Sequence, residues 1–173
     1  MRRPSAILGT LVFLLVAPGF VAGVVPWWIA RWRFQPIPLN ISLLRWIGAV
    51  LLLIGAAIVL DSFARFALQG LGTPAPVLPT KHLVITGLYR YVRNPMYVGV
   101  AGAIFGQALM FGSKELLLYG VLVWLAFHLF IYFYEEPTLR KTFGEEYDVF
   151  CREVPRWIPR SRRAPSSFTA RQG

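Results

Sequence analysis

Four apolar stretches, each long enough to cross a lipid bilayer, constrain this chain more than any other feature. No charged residue occurs from Pro4 to Ala30, from Asn94 to Ser113 or from Leu116 to Tyr134. The hydrocarbon core of a bilayer is about 30 Å thick, and a helix crosses it with roughly 20 apolar residues. We therefore predict four membrane-spanning helices, which lie within Ser5–Trp28, Leu44–Ala67, Met96–Phe111 and Leu116–Tyr134.

The composition also excludes a soluble domain. Of the 173 residues, 56% are hydrophobic and 15% are charged, whereas about a quarter of the residues in a soluble domain are charged. The net charge of +10 indicates cytoplasmic loops and contact with anionic membrane lipids, and not a nucleic-acid partner. The first apolar stretch has 27 residues, which is too long for a signal peptide, so we predict that it is retained.

The distribution of Lys and Arg predicts the orientation. With the N-terminus in the cytoplasm, 14 basic residues lie on the inner side and four on the outer side. Such a bias is typical of cytoplasmic segments. We predict an integral, multi-pass membrane protein with both termini in the cytoplasm, and with the 70–93 loop and the C-terminal tail on that same side.

Shorter patterns complete the predicted fold, which is all-α with a single domain over residues 1–159. Lys114 and Glu115 leave almost no connection between the last two spans, so these helices form a tight hairpin. Apolar residues then recur at helical spacing from Leu139 to Val154, which predicts an amphipathic helix broken near Gly144. This helix either lies on the membrane surface or caps the loop. Residues 160–173 are predicted to form a disordered basic tail.

Most of the polar residues outside the loops have a structural interpretation. Asp61 and Arg65 are four residues apart, so we predict an ion pair on one helix face. His128 is predicted to be a satisfied contact of the helix bundle, and Cys151 a small apolar filler. His82 is predicted to be a solvated loop residue, a base or a ring-stacking wall of a binding site. The spacing of His, Cys, Asp and Glu predicts no metal site.

The run from Gly87 to Gly99 is the strongest candidate for function. It places two Arg, three Tyr, an Asn and a Pro at the entrance to an apolar helix. Rings and cations there can anchor a helix at the headgroups, but anchoring requires neither the Asn–Pro break nor the glycines. Glu135 and Glu136 directly follow the last apolar stretch, and a carboxylate at that depth favours a cationic partner. Together these residues suit a cationic or amphiphilic ligand.

Two motifs carry a resemblance to a known family. The stretch LVITGLYRYVRNPMYVG, followed after two helices by EEPTLRKTFGEEYDVFCREVPRWIP, resembles the isoprenylcysteine carboxyl methyltransferases and the related phospholipid N-methyltransferases. The resemblance covers Leu71 to Pro159. It implies a small membrane enzyme that transfers a methyl group from S-adenosylmethionine to a lipophilic acceptor, which enters from the bilayer, at a site facing the cytoplasm and without an obligate protein partner.

The resemblance also implies roles for individual residues. The catalytic residues are expected to be Arg93, Asn94 and Glu135, with Glu135 facing the ammonium of the cofactor and Arg93 or Arg90 its carboxylate. The residues expected to bind the cofactor are Lys81, His82, Leu83, Val84, Gly87, Tyr89, Asn94, Pro95, Met96, Tyr97, Glu135 and Glu136.

Two residues depart from the pattern of the eukaryotic carboxyl methyltransferases. Asn94 replaces a His, which removes a titrating group but keeps a hydrogen-bond donor and acceptor. Ile131 stands where those enzymes carry an Arg that contacts the substrate, which argues against a prenylcysteine carboxylate as the acceptor. A phospholipid N-methyltransferase, an NADPH-dependent enzyme like the sterol reductases and a non-catalytic membrane adaptor are the alternative functions.

Overall fold

The computed structural model describes residues 12–36, 42–69, 83 and 85–159, and for residues 66–69 the backbone alone. Three of the expected cofactor residues, Lys81, His82 and Val84, lie outside the described residues. So do most of the 70–93 loop and the predicted disordered tail, residues 160–173.

The described residues form helices joined by short connections, as the all-α prediction requires. The helix α1, Val12–Ala30, contains a π-helical turn at Phe20–Val24, just after Pro18. The other elements are α2 (Ser42–Gln69), a 3-10 turn (Gly87–Arg90), α3 (Pro95–Phe111), α4 (Lys114–Phe130), a π-helical turn (Ile131–Glu135), α5 (Glu136–Phe143) and α6 (Glu145–Glu153).

Three helical segments are long and apolar enough to cross a membrane: Val12–Ala30, Ser42–Arg65 and Lys114–Phe143. The fourth predicted span, α3, is apolar but has 17 residues. At 1.5 Å per residue it is about 25 Å long, at the lower limit for a spanning helix. The count of four crossings and the orientation therefore stay predictions.

Glycines allow α2 and α3 to pack with their backbones in contact. A Cβ atom on Gly55 would lie 2.6 Å from the backbone nitrogen of Ala103 and 2.6 Å from the carbonyl oxygen of Gly99. One on Gly106 would lie 2.5 Å from the nitrogen of Leu52 and 2.7 Å from the oxygen of Gly48. In a membrane the hydrophobic effect does not drive helices together. Small residues at the interface instead let the backbones approach, and van der Waals contact stabilises the packing.

The predicted hairpin between α3 and α4 is confirmed. After Phe111, Gly112 adopts a left-handed conformation with φ 70°, and Ser113 then caps α4. The hydroxyl of Ser113 accepts a hydrogen bond from the backbone N–H of Leu116 at 3.2 Å. Two residues thus reverse the chain and place the start of α3 and the end of α4 on the same side of the bundle.

The predicted break in the tail helix is also confirmed, since Gly144, with φ 55°, separates α5 from α6. The apolar face of these helices packs on residues from the end of the loop. The buried members of this tail cluster are Leu83, Ile85, Tyr147, Phe150 and Val154. The tail thus packs on Leu83 and Ile85 at the end of the loop, and its predicted position on the membrane surface stays a prediction.

Candidate active site

A hydrogen bond between Tyr97 and Glu135 marks the centre of the site. Pro95 occupies the first position of α3, where the backbone N–H that proline lacks would have no partner within the helix. Tyr97, two residues later, therefore lies in the first turn of α3. Glu135 ends the π-helical turn that joins α4 to α5. The hydroxyl of Tyr97 donates to Oε2 of Glu135 at 2.8 Å. The second carboxylate oxygen has no hydrogen-bond partner among the described residues and is free to accept from a ligand.

The neighbouring carboxylate, Glu136, is paired with two cationic side chains of the protein. It is 4% exposed and contacts two guanidinium groups, with Nη1 of Arg93 at 3.0 Å and Nε of Arg156 at 2.7 Å from Oε1. Nη2 of Arg156 also donates to Oε2 at 3.0 Å. The hydrogen bond to Glu136 raises the pKa of Arg156 above its usual value, so this guanidinium stays charged.

A C-terminal strap, residues 154–158, holds this arrangement together. The backbone N–H of Arg93 donates to the carbonyl of Pro155 at 2.9 Å, and Nδ2 of Asn94 donates to the carbonyl of Arg156 at 3.3 Å. Two residues of the candidate site are therefore bonded to a segment about 60 positions further along the chain.

Trp157 of the strap also contacts His128. The indole Nε1 donates to Nδ1 of His128 at 3.3 Å, and the imidazole stacks on the rings of Trp124 and Trp157. The prediction that His128 is a satisfied packing contact is confirmed. Its partners lie in the strap as well as in α4, so this histidine fastens the strap to the bundle.

Arg93 makes one contact that sequence reasoning missed. Its Nη1 donates to Sγ of Cys151 at 2.9 Å, while Cys151 also packs against the tail cluster. The thiol therefore fills apolar space, as predicted, and in addition orients the guanidinium. Nε of Arg93 is buried and has no hydrogen-bond partner among the described residues. Buried donors without a partner are uncommon in folded proteins.

An apolar cavity of about 210 Å³ lies beside Tyr97, between α1, α3 and α4. The ring of Tyr97 packs on that of Phe127 with centroids 4.8 Å apart and forms part of the wall. The remaining wall is apolar, formed by Phe13, Ala17, Pro18, Val21, Met96, Val100 and Phe130. The cavity is smaller than the 300–1,000 Å³ typical of a whole drug-sized ligand. It suits one part of an apolar chain.

The structure places some of the predicted site residues close together and others elsewhere. Five of them make hydrogen bonds where α3, α5 and the strap join: Arg93, Asn94, Tyr97, Glu135 and Glu136. Pro95 and Met96 lie between Asn94 and Tyr97 in the first turn of α3. Leu83 instead packs in the tail cluster, and Tyr89 is buried in the 3-10 turn. Ile131, 1% exposed, starts the π-helical turn. Among the described residues, no group of three His, Cys, Asp or Glu could hold a metal ion.

Gly87 has a packing role as well as its expected place in the site. The predicted ion pair of Asp61 and Arg65 is confirmed, with contacts of 2.8 and 2.9 Å. Gly87, with φ 58°, lies against the guanidinium of Arg65, and a Cβ atom at position 87 would stand 2.1 Å from its Cζ. A side chain there would clash with Arg65 and strain the backbone.

Residues 43–146 match the profile of the phospholipid methyltransferase family. A phosphatidylethanolamine N-methyltransferase of Laccaria bicolor is 45% identical over 64 residues, which are 37% of this chain and 7% of that relative. A protein-S-isoprenylcysteine O-methyltransferase of Schizosaccharomyces pombe is 36% identical over 80 residues, or 45% of this chain and 34% of the relative. The matched region thus spans 7% and 34% of the lengths of these two curated relatives. No solved structure matches it significantly.

Proposed function

Because the chain belongs to the phospholipid methyltransferase family, we propose that it transfers a methyl group from S-adenosylmethionine to a lipophilic acceptor within the membrane. One observation carries the proposal. The Tyr97–Glu135 hydrogen bond stands at the wall of an apolar cavity between three helices. The Tyr97–Glu135 pair can contact a polar cofactor, and the adjoining apolar cavity can hold part of the hydrocarbon chain of a substrate.

The polar groups fit the cofactor. When bound, S-adenosylmethionine supplies a methyl group activated by its positive sulfur. We assign its ammonium to Glu135, which has one oxygen without a partner among the described residues. We assign its carboxylate to Arg93, whose buried Nε also lacks one. Arg90, the other candidate for the carboxylate, instead lines a groove against α2.

In this proposal, the residues of the protein act by aligning the acceptor with the methyl group and the sulfur of the cofactor. Methyl transfer is an in-line displacement, in which the acceptor atom bonds to the methyl carbon as the bond from carbon to sulfur breaks. Holding reactants in line can supply up to about 7–11 kcal/mol of the barrier reduction. The Tyr97 hydroxyl fixes the orientation of Glu135, and the apolar wall formed by Met96, Val100 and Phe127 keeps water from the reacting atoms.

Asn94 acts as a positioning residue in this proposal. Its side-chain amide donates to the strap at the carbonyl of Arg156, and an amide does not titrate in the physiological range. The site therefore does not use an imidazole base at position 94. A carboxylate acceptor needs no base, whereas an amine must first lose a proton, so the chemistry of the product identifies the acceptor.

The test is methyl transfer by the purified full chain. The protein is incubated in detergent with S-adenosylmethionine labelled in its methyl group and with a membrane lipid extract. We expect label in the lipid fraction. A methyl ester releases label as methanol in alkali, while an N-methyl group keeps it, which separates carboxyl from amine acceptors.

Calorimetric titration separates the alternative functions. We expect binding of S-adenosylmethionine and S-adenosylhomocysteine. Absence of both binding and lipid labelling would contradict the proposal. Binding of NADPH alone would favour a reductase, and binding of none of the three ligands would favour an adaptor.

A further inference from the structure

A second feature of the structure lies outside the proposed methyl-transfer site. An open groove of about 600 Å³ runs between α2 and the 3-10 turn. One end is apolar, formed by Ile54, Ala57 and Ile58, and the other carries Asp61, Arg65 and Arg90. The α2 residues follow a spacing of three or four, so they share one helix face. That face changes from apolar to charged along the helix axis, as the membrane does from hydrocarbon to headgroup.

The charged end holds a cation with no carboxylate partner. Arg65 is neutralised by Asp61 through two hydrogen bonds. Arg90 is half-buried, and its guanidinium makes no ion pair with the residues that the structure describes. The parts of the chain outside the described residues contain no Asp or Glu. No Asp or Glu side chain pairs with Arg90 in the part of the chain that the structure describes, so its guanidinium is available to an anion from another molecule.

The geometry of the charged end is fixed. The guanidinium of Arg65 is held by Asp61 on one side and lies against the backbone of Gly87 on the other. The 3-10 turn that begins at Gly87 ends at Arg90. The two Arg side chains thus border the same groove from two elements that are in contact. Paired guanidinium groups with spare N–H donors favour phosphate oxygens.

We propose that this groove binds one phospholipid, with its phosphate on Arg90 and Arg65 and an acyl chain along Ile54, Ala57 and Ile58. The apolar end faces outward, since Ile54 is 52% exposed, so an acyl chain reaches it from the bilayer. Charge complementarity selects an anionic headgroup at the other end. The groove shares Gly87 with the residues expected to bind the cofactor, but Glu135, Tyr97 and the residues of the apolar cavity are not among its lining residues.

The test measures lipid binding to the full chain, purified in detergent and stripped of lipid. The probe is dioctanoyl phosphatidylglycerol, compared with dioctanoyl glycerol, which lacks the phosphate, and with glycerol phosphate, which lacks the chains. Binding is followed by calorimetry and by native mass spectrometry. We expect saturable binding of one phospholipid and at least about tenfold weaker binding of either comparator.

Three variants locate the site. R90Q is expected to weaken phospholipid binding about tenfold or more, because a charge-assisted contact is lost. A57W fills the apolar end from an exposed position and is expected to weaken binding of phospholipid and of dioctanoyl glycerol alike. R152Q removes an exposed cation from α6 and is expected to bind as the parent does. Thermal unfolding confirms that each variant is folded.

Several results would overturn the proposal. Equal affinity of R90Q and the parent would remove the assigned phosphate contact. Glycerol phosphate binding as tightly as the phospholipid would indicate a site for free anions. A photo-crosslinking amino acid at position 57 that labels residues 70–82 instead of an added phospholipid would show that the chain itself fills the groove.

Discussion

At the scale of single residues, Glu135 and Glu136 are adjacent in the chain but have opposite surroundings. Glu135 meets the neutral hydroxyl of Tyr97, whereas Glu136 meets the guanidinium groups of Arg93 and Arg156. The counter-charges of Glu136 are therefore supplied by the protein itself. Glu135 keeps one oxygen without a partner among the described residues, so the two residues are expected to respond differently to the loss of their charge.

Glu135→Gln is expected to raise the Kd for S-adenosylmethionine about tenfold or more, because a neutral amide loses the charge-assisted contact with an ammonium. Calorimetric titration of the purified chain measures this change. Glu145→Gln, at an exposed position in α6, serves as the matched control and should leave the Kd unchanged. An unaltered Kd in Glu135→Gln would remove the assignment of this residue.

Glu136→Gln is expected to reduce stability more than Arg156→Gln does. The first change leaves two guanidinium groups facing each other without a counter-charge, which costs about 3–5 kcal/mol. The second leaves Glu136 paired with Arg93 and loses about 1.5–3 kcal/mol of hydrogen bonding. Unfolding in detergent measures both, with Arg152→Gln as the control. The opposite order of stabilities would contradict this account of the network.

At the scale of elements, the α2–α3 contact and the strap position the site. Backbone contact at Gly55 and Gly106 fixes α3 against α2, and therefore fixes Tyr97 in the first turn of α3. The strap then sets Arg93 and Asn94 through their hydrogen bonds to Pro155 and Arg156. The geometry of the site thus depends on close packing at some distance from it.

Gly55→Val is expected to destabilise the protein by about 3 kcal/mol or more, because the new side chain meets rigid backbone atoms at 2.6 Å. The thermal midpoint and the monodisperse yield in detergent measure the loss. Gly102→Ala on α3 is the control, since its Cβ would find ordinary contacts at 3.8 Å. Equal stability of Gly55→Val and the parent would contradict the backbone contact.

At the scale of the whole molecule, the hairpin and the tail bring the functional groups to one end of the bundle. The connection at Gly112 and Ser113 lies at the end of α3 away from Asn94. The Lys and Arg distribution then predicts that the site faces the cytoplasm. The connection is expected on the outer side.

A Cys introduced at Lys114 is expected to react with a membrane-impermeant thiol reagent in intact cells, because this residue is exposed beside the outer connection. A fluorescent protein fused to the C-terminus should be bright, as it is when it folds in the cytoplasm. Labelling at position 114 only after the cells are opened would reverse the orientation.

The sequence by itself determined the helices, the hairpin and the break in the tail. Each depends on a local signal: the length of an apolar run, the charged pair Lys114 and Glu115 between two apolar runs, and a Gly between amphipathic turns. The motif residues also identified five side chains that form hydrogen bonds in one region of the structure, those of Arg93, Asn94, Tyr97, Glu135 and Glu136. The i, i+4 pair of Asp61 and Arg65 was predictable because both partners lie on one helix.

Only the tertiary structure decided which polar groups are partners. The π-helical turn Ile131–Glu135 rotates Glu135 and Glu136 relative to α4, and no periodicity predicts such a turn. The signal for Arg156 was an Arg between prolines at the end of the tail motif, without an indication of its partner. The contacts of Arg93 with Glu136 and Cys151 join residues 43 and 58 positions apart. They form because packed helices fix side-chain directions, and a buried charge is stable only where such packing brings its counter-charge.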